Sequence, residues 1–205
     1  MSVTVREVKS ATKKLCDIVI ENEKYFCELD SVAGDGDFGM SLSKGFREIK
    51  NQIDAVEDCS VDKFIMRCSL IVTEYCGGAT GPIWGAGLRA AAKNVQGKEC
   101  LLLSDIAGMF GAAVEGIKKR GGARQGDKTL LDALIPAANA LNEAGKKGLS
   151  LEEAFALAAQ SAQAGAKATE QMIATRGRAS YLGERSLTHP DAGAMAISVL
   201  FTSMV

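Results

Sequence analysis

The sequence predicts an all-α fold: an eight-helix antiparallel up-down bundle or barrel in one domain spanning residues 1–205. Apolar residues recur at three- and four-residue steps along almost the whole chain, which is the period of an amphipathic helix, and no segment alternates with the period of a strand. Two capping boxes, Thr4/Glu7 and Ser150/Glu153, mark helix starts. Apolar residues make up 47% of the 205, enough for one packed core.

Eight helices follow in order from this spacing. Beyond the two capping boxes, Pro82 fits the first turn of the fourth helix. Ser104 is the expected N-cap of the fifth, and Pro136 is expected to bend the sixth. The approximate ranges are 8–29, 42–53, 64–75, 82–95, 104–117, 128–144, 150–175 and 191–204.

The composition excludes several classes of protein. A net charge of −1 and an aromatic content of 5% offer neither a basic field nor a stacking surface for nucleic acid. The N-terminus lacks the apolar core of a signal peptide and no apolar run has membrane-spanning length, so we expect a cytoplasmic protein with no membrane partner. The single histidine, His189, excludes multi-histidine metal sites. The cysteines lack CxxC spacing and are expected to be buried, reduced thiols: Cys16, Cys27, Cys59, Cys68, Cys76 and Cys100.

The connections between the predicted helices fall into two kinds, which alternate. Those after helices two, four and six are ordinary polar turns. Those after helices one, three, five and seven are rich in glycine and carry acids, hydroxyls or arginines: LDSVAGDGDFG, GGATGP, GGARQGD and RGRASYLGERSLTHPDAG. Every second connection of an up-down bundle lies at the same end. We therefore expect these four connections to meet at one rim and build a single site.

The first of these connections carries three acids, Asp30, Asp35 and Asp37, within eight residues. Intervening glycines let the backbone turn tightly enough for the carboxylates to converge, and convergent carboxylates need a hard cation such as Mg²⁺ or Ca²⁺. The spacing does not match an EF-hand loop. Mg²⁺ held by few carboxylates completes its shell with substrate phosphates. The acids therefore favour a magnesium site, with a polar turn capped by aspartates as the alternative.

The other three connections supply groups that bind anions. Residues 77–82 open a helix with small residues, whose free N–H groups form an anion site, and Thr80 adds a hydroxyl. Asp127 is placed to cap the sixth helix. Arg176 and Arg178 suit bidentate binding of phosphate, unless they pair with neighbouring acids. Together these groups predict a magnesium-nucleotide site for phosphoryl transfer, which depends on positioning and charge neutralisation and demands no covalent nucleophile.

Five motifs resemble, in order and over nearly the whole chain, the L subunit of dihydroxyacetone kinases: GDGDFGMSLSKGF, GGATGP, GDKTLLDAL, GRASYLGERS and HPDAGA. The resemblance implies an eight-helix barrel with the nucleotide at one rim. It implies that Asp30, Asp35 and Asp37 hold two Mg²⁺ ions that bridge the phosphates of ADP or ATP, and that these acids and Arg178 are the catalytic residues. The implied nucleotide contacts are Phe38, Gly39, Met40, Ser41, Ala79, Thr80, Gly121, Leu130, Arg178, Asp191, Ala192 and Gly193.

The same resemblance implies a division of labour between subunits. A separate kinase subunit of the K type would hold the ketose through its own histidine, and this chain would carry the phosphoryl donor. Either ATP or a phosphotransferase-system phosphoprotein of the M type would recharge the nucleotide, and a homodimer is an open alternative. The rival functions are a nucleotide-sensing adaptor without catalysis and a kinase for another short ketose such as erythrulose.

Two positions depart from the pattern of this family. Phe38 stands where histidine is common, which removes any polar role of that side chain, and Pro190 changes the backbone beside 191–193. His189 is assigned three alternative roles: ordering its loop, contacting nucleotide or partner, or accepting phosphate. Trp84 and Leu130 are expected to form the pocket wall. Lys128 lies at a predicted helix start, with nothing nearby in sequence to depress its pKa.

Overall fold

The structure, a computed structural model, describes residues 2–56 and 60–205. Within these ranges nearly all regular structure is helical, which confirms the all-α prediction. The helices are α1 (Val5–Glu21), α2 (Glu23–Ser31), α3 (Phe38–Gln52), α4 (Val61–Tyr75), α5 (Thr80–Asn94), α6 (Leu103–Gly121), α7 (Leu131–Lys146), α8 (Leu151–Ala168) and α9 (Ala192–Thr202).

The first predicted helix is divided in two at Asn22. The side-chain amide of Asn22 donates to the Ile18 carbonyl at 2.9 Å, and its backbone N–H donates to the same oxygen at 3.1 Å. An asparagine that bonds its own helix backbone in this way offers the chain an alternative to continuing the helix. The prediction of one helix over 8–29 is therefore wrong, and α2 starts at Glu23.

Most helix starts lie where the sequence places them. The capping boxes at Thr4/Glu7 and Ser150/Glu153 are both formed, which confirms those two predictions. The predicted N-cap of α6 is wrong: the cap residue is Leu102, whose N–H donates to the Asp105 carboxylate at 2.9 Å. Ser104 lies within the first turn of α6 instead.

The helices pack in sequence order and the series closes on itself. Each helix from α2 to α8 contacts the next one along the chain, and α9 contacts α8, α7, α2 and α1. The described residues also contain a two-residue antiparallel pair, β1 (Val3–Thr4) with β2 (Cys100–Leu101). The expectation of no strand was wrong in this detail, because a two-residue strand is too short to show a period.

The closed arrangement has an apolar interior. Alanines on α8, including Ala158 and Ala162, are fully buried and allow the helices to approach closely. An apolar cavity of about 240 Å³ lies in this interior. Its lining includes Trp84 and Phe155, and every helix except α2 contributes to it. No helix in the described ranges is long and apolar enough to cross a membrane.

The cysteines divide between core and surface. Cys16, Cys68 and Cys76 are buried, whereas Cys27 is half-buried and Cys100 is exposed on β2. The prediction of buried thiols is therefore wrong for Cys100. The side chain of Cys59 lies outside the described residues.

Candidate functional site

Asp30, Asp35 and Asp37, here called the acidic cluster, converge where α2 meets α3. Each offers a carboxylate oxygen, and the three oxygens lie within 4.8 Å of one another. Asp30 belongs to the last turn of α2, while Asp35 and Asp37 belong to the short connection that follows it. Gly36 has φ +75°, a left-handed conformation that allows this connection to fold back on α2. The glycine-rich spacing thus brings the three acids together, as the sequence predicts.

The electrostatics of the acidic cluster suit a hard cation. Asp30 is half-buried, and this burial raises the pKa of its carboxyl, as do the charges of Asp35 and Asp37. The Gly36 N–H donates to the Asp30 carboxylate at 2.9 Å and holds it in place. Three converging carboxylates repel one another, and an all-oxygen donor set matches Mg²⁺ or Ca²⁺. The residues present therefore fit the implied metal.

A guanidinium lies against this cluster. Arg178 Nη1 is 2.8 Å from Asp35 Oδ2, and both side chains are partly exposed to solvent. Arg178 begins a 3-10 helical stretch, Arg178–Ser186, within the connection between α8 and α9. Residues 172–191 of that connection are called the arginine segment below. The sequence left open whether its arginines pair with acids, and the structure pairs Arg178 with Asp35 from the first connection and Arg176 with Asp127 from the third.

A cavity of about 660 Å³, the rim pocket, lies beside the acidic cluster. All four glycine-rich connections contribute to its lining, so the prediction that they meet is confirmed. Phe38, which follows the acidic cluster in sequence, and Gly177, which precedes Arg178, both line the pocket and join it to the cluster. The lining residues that the sequence named are Phe38, Ala79, Thr80, Pro82, Trp84, Gly121, Lys128, Leu130, Arg176, Asp191 and Gly193.

The remaining implied nucleotide contacts are not among the residues that line the pocket: Gly39, Met40, Ser41, Arg178 and Ala192. Gly39 is buried, and Ser41 is buried with its hydroxyl donating to the Gly77 carbonyl at 3.0 Å. Met40 is exposed, and its N–H donates to Cys27 Sγ at 3.3 Å. Ala192 is buried in the first turn of α9.

Helix N-termini supply the pocket with polar backbone. The cap residue of α5 is Ala79, and no side chain caps this end, so its first N–H groups are available to an anion. At α9 the Asp191 carboxylate accepts from the Ala194 N–H at 2.8 Å. Burial raises the pKa of Asp191 to about 7. The N-terminus of α5 therefore attracts anions, whereas burial disfavours the ionised form of Asp191.

The third connection is organised differently from the prediction. Asp127 does not cap α7, whose cap residue is Leu130. The Asp127 carboxylate accepts instead from the Arg124 N–H at 3.0 Å and from Arg176 Nε at 3.4 Å. Burial alone would raise the pKa of Asp127, but these hydrogen bonds lower it overall. Asp132 accepts from Gly126 and Thr129 N–H groups and closes the turn.

Sequence reasoning missed the environment of Lys128. This residue lines the rim pocket, is 3% exposed and adopts a left-handed backbone with φ +60°. Its ammonium contacts four backbone carbonyl oxygens, at Thr169, Met172, Ser186 and His189. Burial lowers its pKa, contrary to the sequence expectation, yet these contacts occupy its protons and leave no lone pair for a nucleophile. His189, whose side chain is exposed, contributes its carbonyl to this cluster.

The sequence matches the DAK2 domain over residues 32–205. The chain belongs to the DAK2 domain family. It is 32% identical over 197 residues to the PEP-dependent dihydroxyacetone kinase, ADP-binding subunit DhaL, of Escherichia coli, covering 96% of this chain and 94% of that protein. It is also 33% identical to the L-erythrulose kinase of Pectobacterium atrosepticum, over 96% of this chain but 34% of that protein.

The fold of this DAK2 domain has a solved counterpart. The dihydroxyacetone kinase of C. freundii, solved in complex with AMP-PNP and Mg²⁺, superposes with a TM-score of 0.75 at 24% identity. The match covers 96% of this chain and 33% of that one. The helical architecture of this DAK2 domain is therefore one that also occurs as part of a longer chain.

Proposed function

We propose that this chain is the nucleotide-binding subunit of a dihydroxyacetone kinase, which binds ADP or ATP with Mg²⁺ and passes the γ-phosphate to a ketose held on a separate subunit. One observation carries the proposal: four glycine-rich connections line one pocket, and the connection that contributes Phe38 to it also holds three carboxylates within 4.8 Å of one another. A site of this kind neutralises phosphate charge and positions it, which is most of what phosphoryl transfer needs.

The acidic cluster is the proposed metal site. Asp30, Asp35 and Asp37 would hold Mg²⁺, two ions by analogy with the family, and the bound metal would neutralise charge on the phosphates. Two other groups of the chain contribute. The Gly36 N–H holds the Asp30 carboxylate in place, and Arg178 lies beside the cluster, where its positive charge would stabilise negative charge on the transferred group.

The rim pocket is the proposed nucleotide site. The uncapped N-terminus of α5 at Ala79 and Thr80 presents N–H groups to phosphate oxygens. Trp84 and Leu130 offer apolar walls to a base or ribose. The relatives support this assignment, since the Escherichia coli protein is named an ADP-binding subunit and matches this chain over nearly its full length.

A separate ketose-binding subunit is the proposed partner. The two side chains considered for covalent capture of a ketose are placed otherwise: His189 is exposed in the loop before α9, and the Lys128 ammonium is engaged by backbone carbonyls. Apolar side chains are exposed in the connections that form the site, at Val32 and Met40 on either side of Asp35 and Asp37 and at Ile173 and Tyr181 in the arginine segment, with Tyr181 87% exposed. This apolar collar is suited to docking a partner that brings the acceptor to the γ-phosphate.

Two features of the reaction are proposed from the relatives. Recharging of a retained ADP by a phosphotransferase-system phosphoprotein is favoured over exchange with ATP, because three full-length relatives are named PEP-dependent and one PTS-dependent. Dihydroxyacetone is the favoured acceptor, with erythrulose as the alternative suggested by the Pectobacterium relative.

The test is a reconstituted transfer. The purified chain is stripped of bound nucleotide, reloaded with Mg²⁺ and one equivalent of ATP, and mixed with dihydroxyacetone, with and without a ketose-binding subunit. Loss of the γ-phosphate in this single turnover is followed by phosphorus NMR. We expect transfer only when the partner is present. Robust turnover by the chain alone would overturn the two-subunit assignment, and unchanged ATP in both mixtures would favour a nucleotide-sensing adaptor.

A further inference from the structure

Lys128 joins parts of the chain that are far apart in sequence. Its Nζ lies 2.8 Å from the Thr169 oxygen and 3.2 Å from that of Met172, where α8 ends. The same atom lies 2.5 Å from the Ser186 oxygen and 2.7 Å from that of His189, just before α9 begins. One ammonium therefore holds both ends of the arginine segment.

The chemistry of this contact demands a charged lysine. An ammonium has three N–H donors and no acceptor, so three of the four carbonyls receive a proton each and the fourth shares one. A neutral amine would turn a lone pair toward carbonyl oxygens. Asp191 and Glu170 support the charge against the cost of burial. Loss of the ammonium would leave buried carbonyl groups without a donor.

Other hydrogen bonds also fix the ends of the arginine segment: the Thr188 N–H donates to the Glu170 carbonyl at 2.8 Å, and the Asp191 N–H donates to the Thr169 hydroxyl at 2.9 Å. Lys128 adds a single charged donor group that contacts both ends at once.

Arg178 lies midway along the arginine segment and is itself 70% exposed, so the position of its guanidinium depends on the backbone of the segment rather than on side-chain packing. Two further contacts come from Asp127, the immediate neighbour of Lys128: the Thr175 N–H donates to the Asp127 carbonyl at 3.2 Å, and Arg176 contacts the Asp127 carboxylate.

We propose that Lys128 is a positioning residue, which clamps the arginine segment and thereby sets the place of Arg178 beside the acidic cluster. It acts through the backbone of this segment and does not react itself. The inference rests on the proposed function for its effect on transfer, but the clamp on the segment is a property of the chain alone.

Lys128→Met tests the clamp without ligands. Methionine keeps the length and most of the volume of lysine while removing the donors. Hydrogen exchange of the ligand-free variant should show at least tenfold faster exchange within 170–191, with α3 to α5 unchanged. Lys146→Met, on the exposed face of α7, is the matched control and should leave exchange unchanged. Unaltered exchange in 170–191, or acceleration spread evenly over the chain, would overturn the proposal.

A double-mutant cycle with Arg178→Gln tests the link to transfer. We expect Lys128→Met to slow phosphoryl transfer from ATP to dihydroxyacetone on the partner subunit by at least tenfold, with a smaller change in KM. In the Arg178→Gln background the same substitution should have less than a twofold effect, because the group it positions is gone. Equal effects in both backgrounds would show a merely structural role and overturn the proposal.

A second variant covers the case in which Lys128→Met does not fold. Lys128→Arg keeps the charge, but a planar guanidinium cannot reproduce the four contacts of a tetrahedral ammonium. Lys128→Arg should then show the faster hydrogen exchange within 170–191 and a slower phosphoryl transfer that depends on Arg178. The absence of both effects would contradict the clamp. If the wild-type chain neither binds Mg²⁺-ADP nor supports transfer, the proposed function fails, while hydrogen exchange still decides whether the clamp exists.

Discussion

Arg178 Nη1 lies 2.8 Å from Asp35 Oδ2, so a cation from the last connection of the chain neutralises an acid of the first. The side chain of Arg178 is 70% exposed, and a solvated ion pair of this kind contributes only about 0–1 kcal/mol. A divalent cation bound by the acidic cluster would compete with the guanidinium for Asp35. The contact thus links the position of the arginine segment to the charge of the cluster.

The first prediction concerns that competition. Arg178→Gln removes the internal cation, so affinity for Mg²⁺ alone should rise, by up to about fivefold if the pair contributes 1 kcal/mol. Phosphoryl transfer should nevertheless slow more than Mg²⁺-ADP binding weakens, because the charge on the moving phosphoryl group is no longer met. Isothermal titration calorimetry and single-turnover kinetics measure the two effects. Arg124→Gln, which removes an exposed arginine paired with Asp127, is the control. An equal loss of transfer rate in Arg178→Gln and Arg124→Gln would contradict the prediction.

The second prediction concerns the acidic cluster. Asp35→Asn or Asp37→Asn should weaken Mg²⁺-ADP binding by more than the roughly 10–100-fold that loss of an outer-shell partner costs. Helicity should be unchanged, and the ligand-free melting temperature equal or higher, since removing one carboxylate relieves repulsion. Calorimetry and circular dichroism measure these quantities. Glu152→Gln, at an exposed site in the first turn of α8, is the control. Wild-type affinity in both aspartate variants would exclude the metal assignment.

The third prediction concerns linkage between binding and folding. A ligand that contacts four connections binds only the folded chain, so Mg²⁺-ADP at 100 times its dissociation constant should stabilise the fold by roughly 2.7 kcal/mol. Thermal melts with and without ligand measure this gain, and EDTA should remove most of it. A melting temperature that responds to neither ADP nor EDTA would count against a composite site.

The fourth prediction concerns pH. Burial raises the pKa of Asp191 from 3.8 to about 7, so the folded chain holds a proton that the unfolded chain has lost in this range. The stability due to this group is therefore complete below pH 3.8 and is lost as pH rises through about 7. Asp191→Asn keeps an N-cap acceptor and should remove this dependence. Urea unfolding at about pH 5 and about pH 8 checks the sign: wild type should lose stability relative to the variant at the higher pH. An equal dependence of the unfolding free energy on pH in wild type and Asp191→Asn would contradict the prediction.

The fifth prediction concerns the apolar collar. Tyr181→Ser should weaken binding of the ketose-binding subunit by roughly tenfold or more, the effect of truncating an aromatic anchor at an interface. Binding of Mg²⁺-ADP should be unaffected. Leu157→Ser, at an exposed apolar position on α8, serves as the control. Calorimetric titration with the partner subunit measures the affinity of each variant. Equal affinities for wild type, Tyr181→Ser and Leu157→Ser would exclude Tyr181 from the docking surface.

The sequence by itself determined what depends on near neighbours in the chain. Helix period, the Thr4/Glu7 and Ser150/Glu153 boxes, and the convergence of the acidic cluster all involve residues within one turn or one tight connection. The alternation of connections then predicted their meeting at one rim. The sequence predicts these features because local hydrogen bonding and short glycine turns leave the backbone few alternative conformations.

The tertiary structure alone decided how distant polar groups pair. The contacts of Lys128 with carbonyls 41 to 61 residues away leave no sequence motif, because any residue type can supply a backbone carbonyl. The end of α8 at Ala168, ahead of the predicted 175, is explained by the same contacts, which engage the Thr169 and Met172 oxygens just beyond it. The pairing of Arg178 with Asp35 was likewise undetermined, since an arginine has several acids within reach and only the closed helical arrangement selects one.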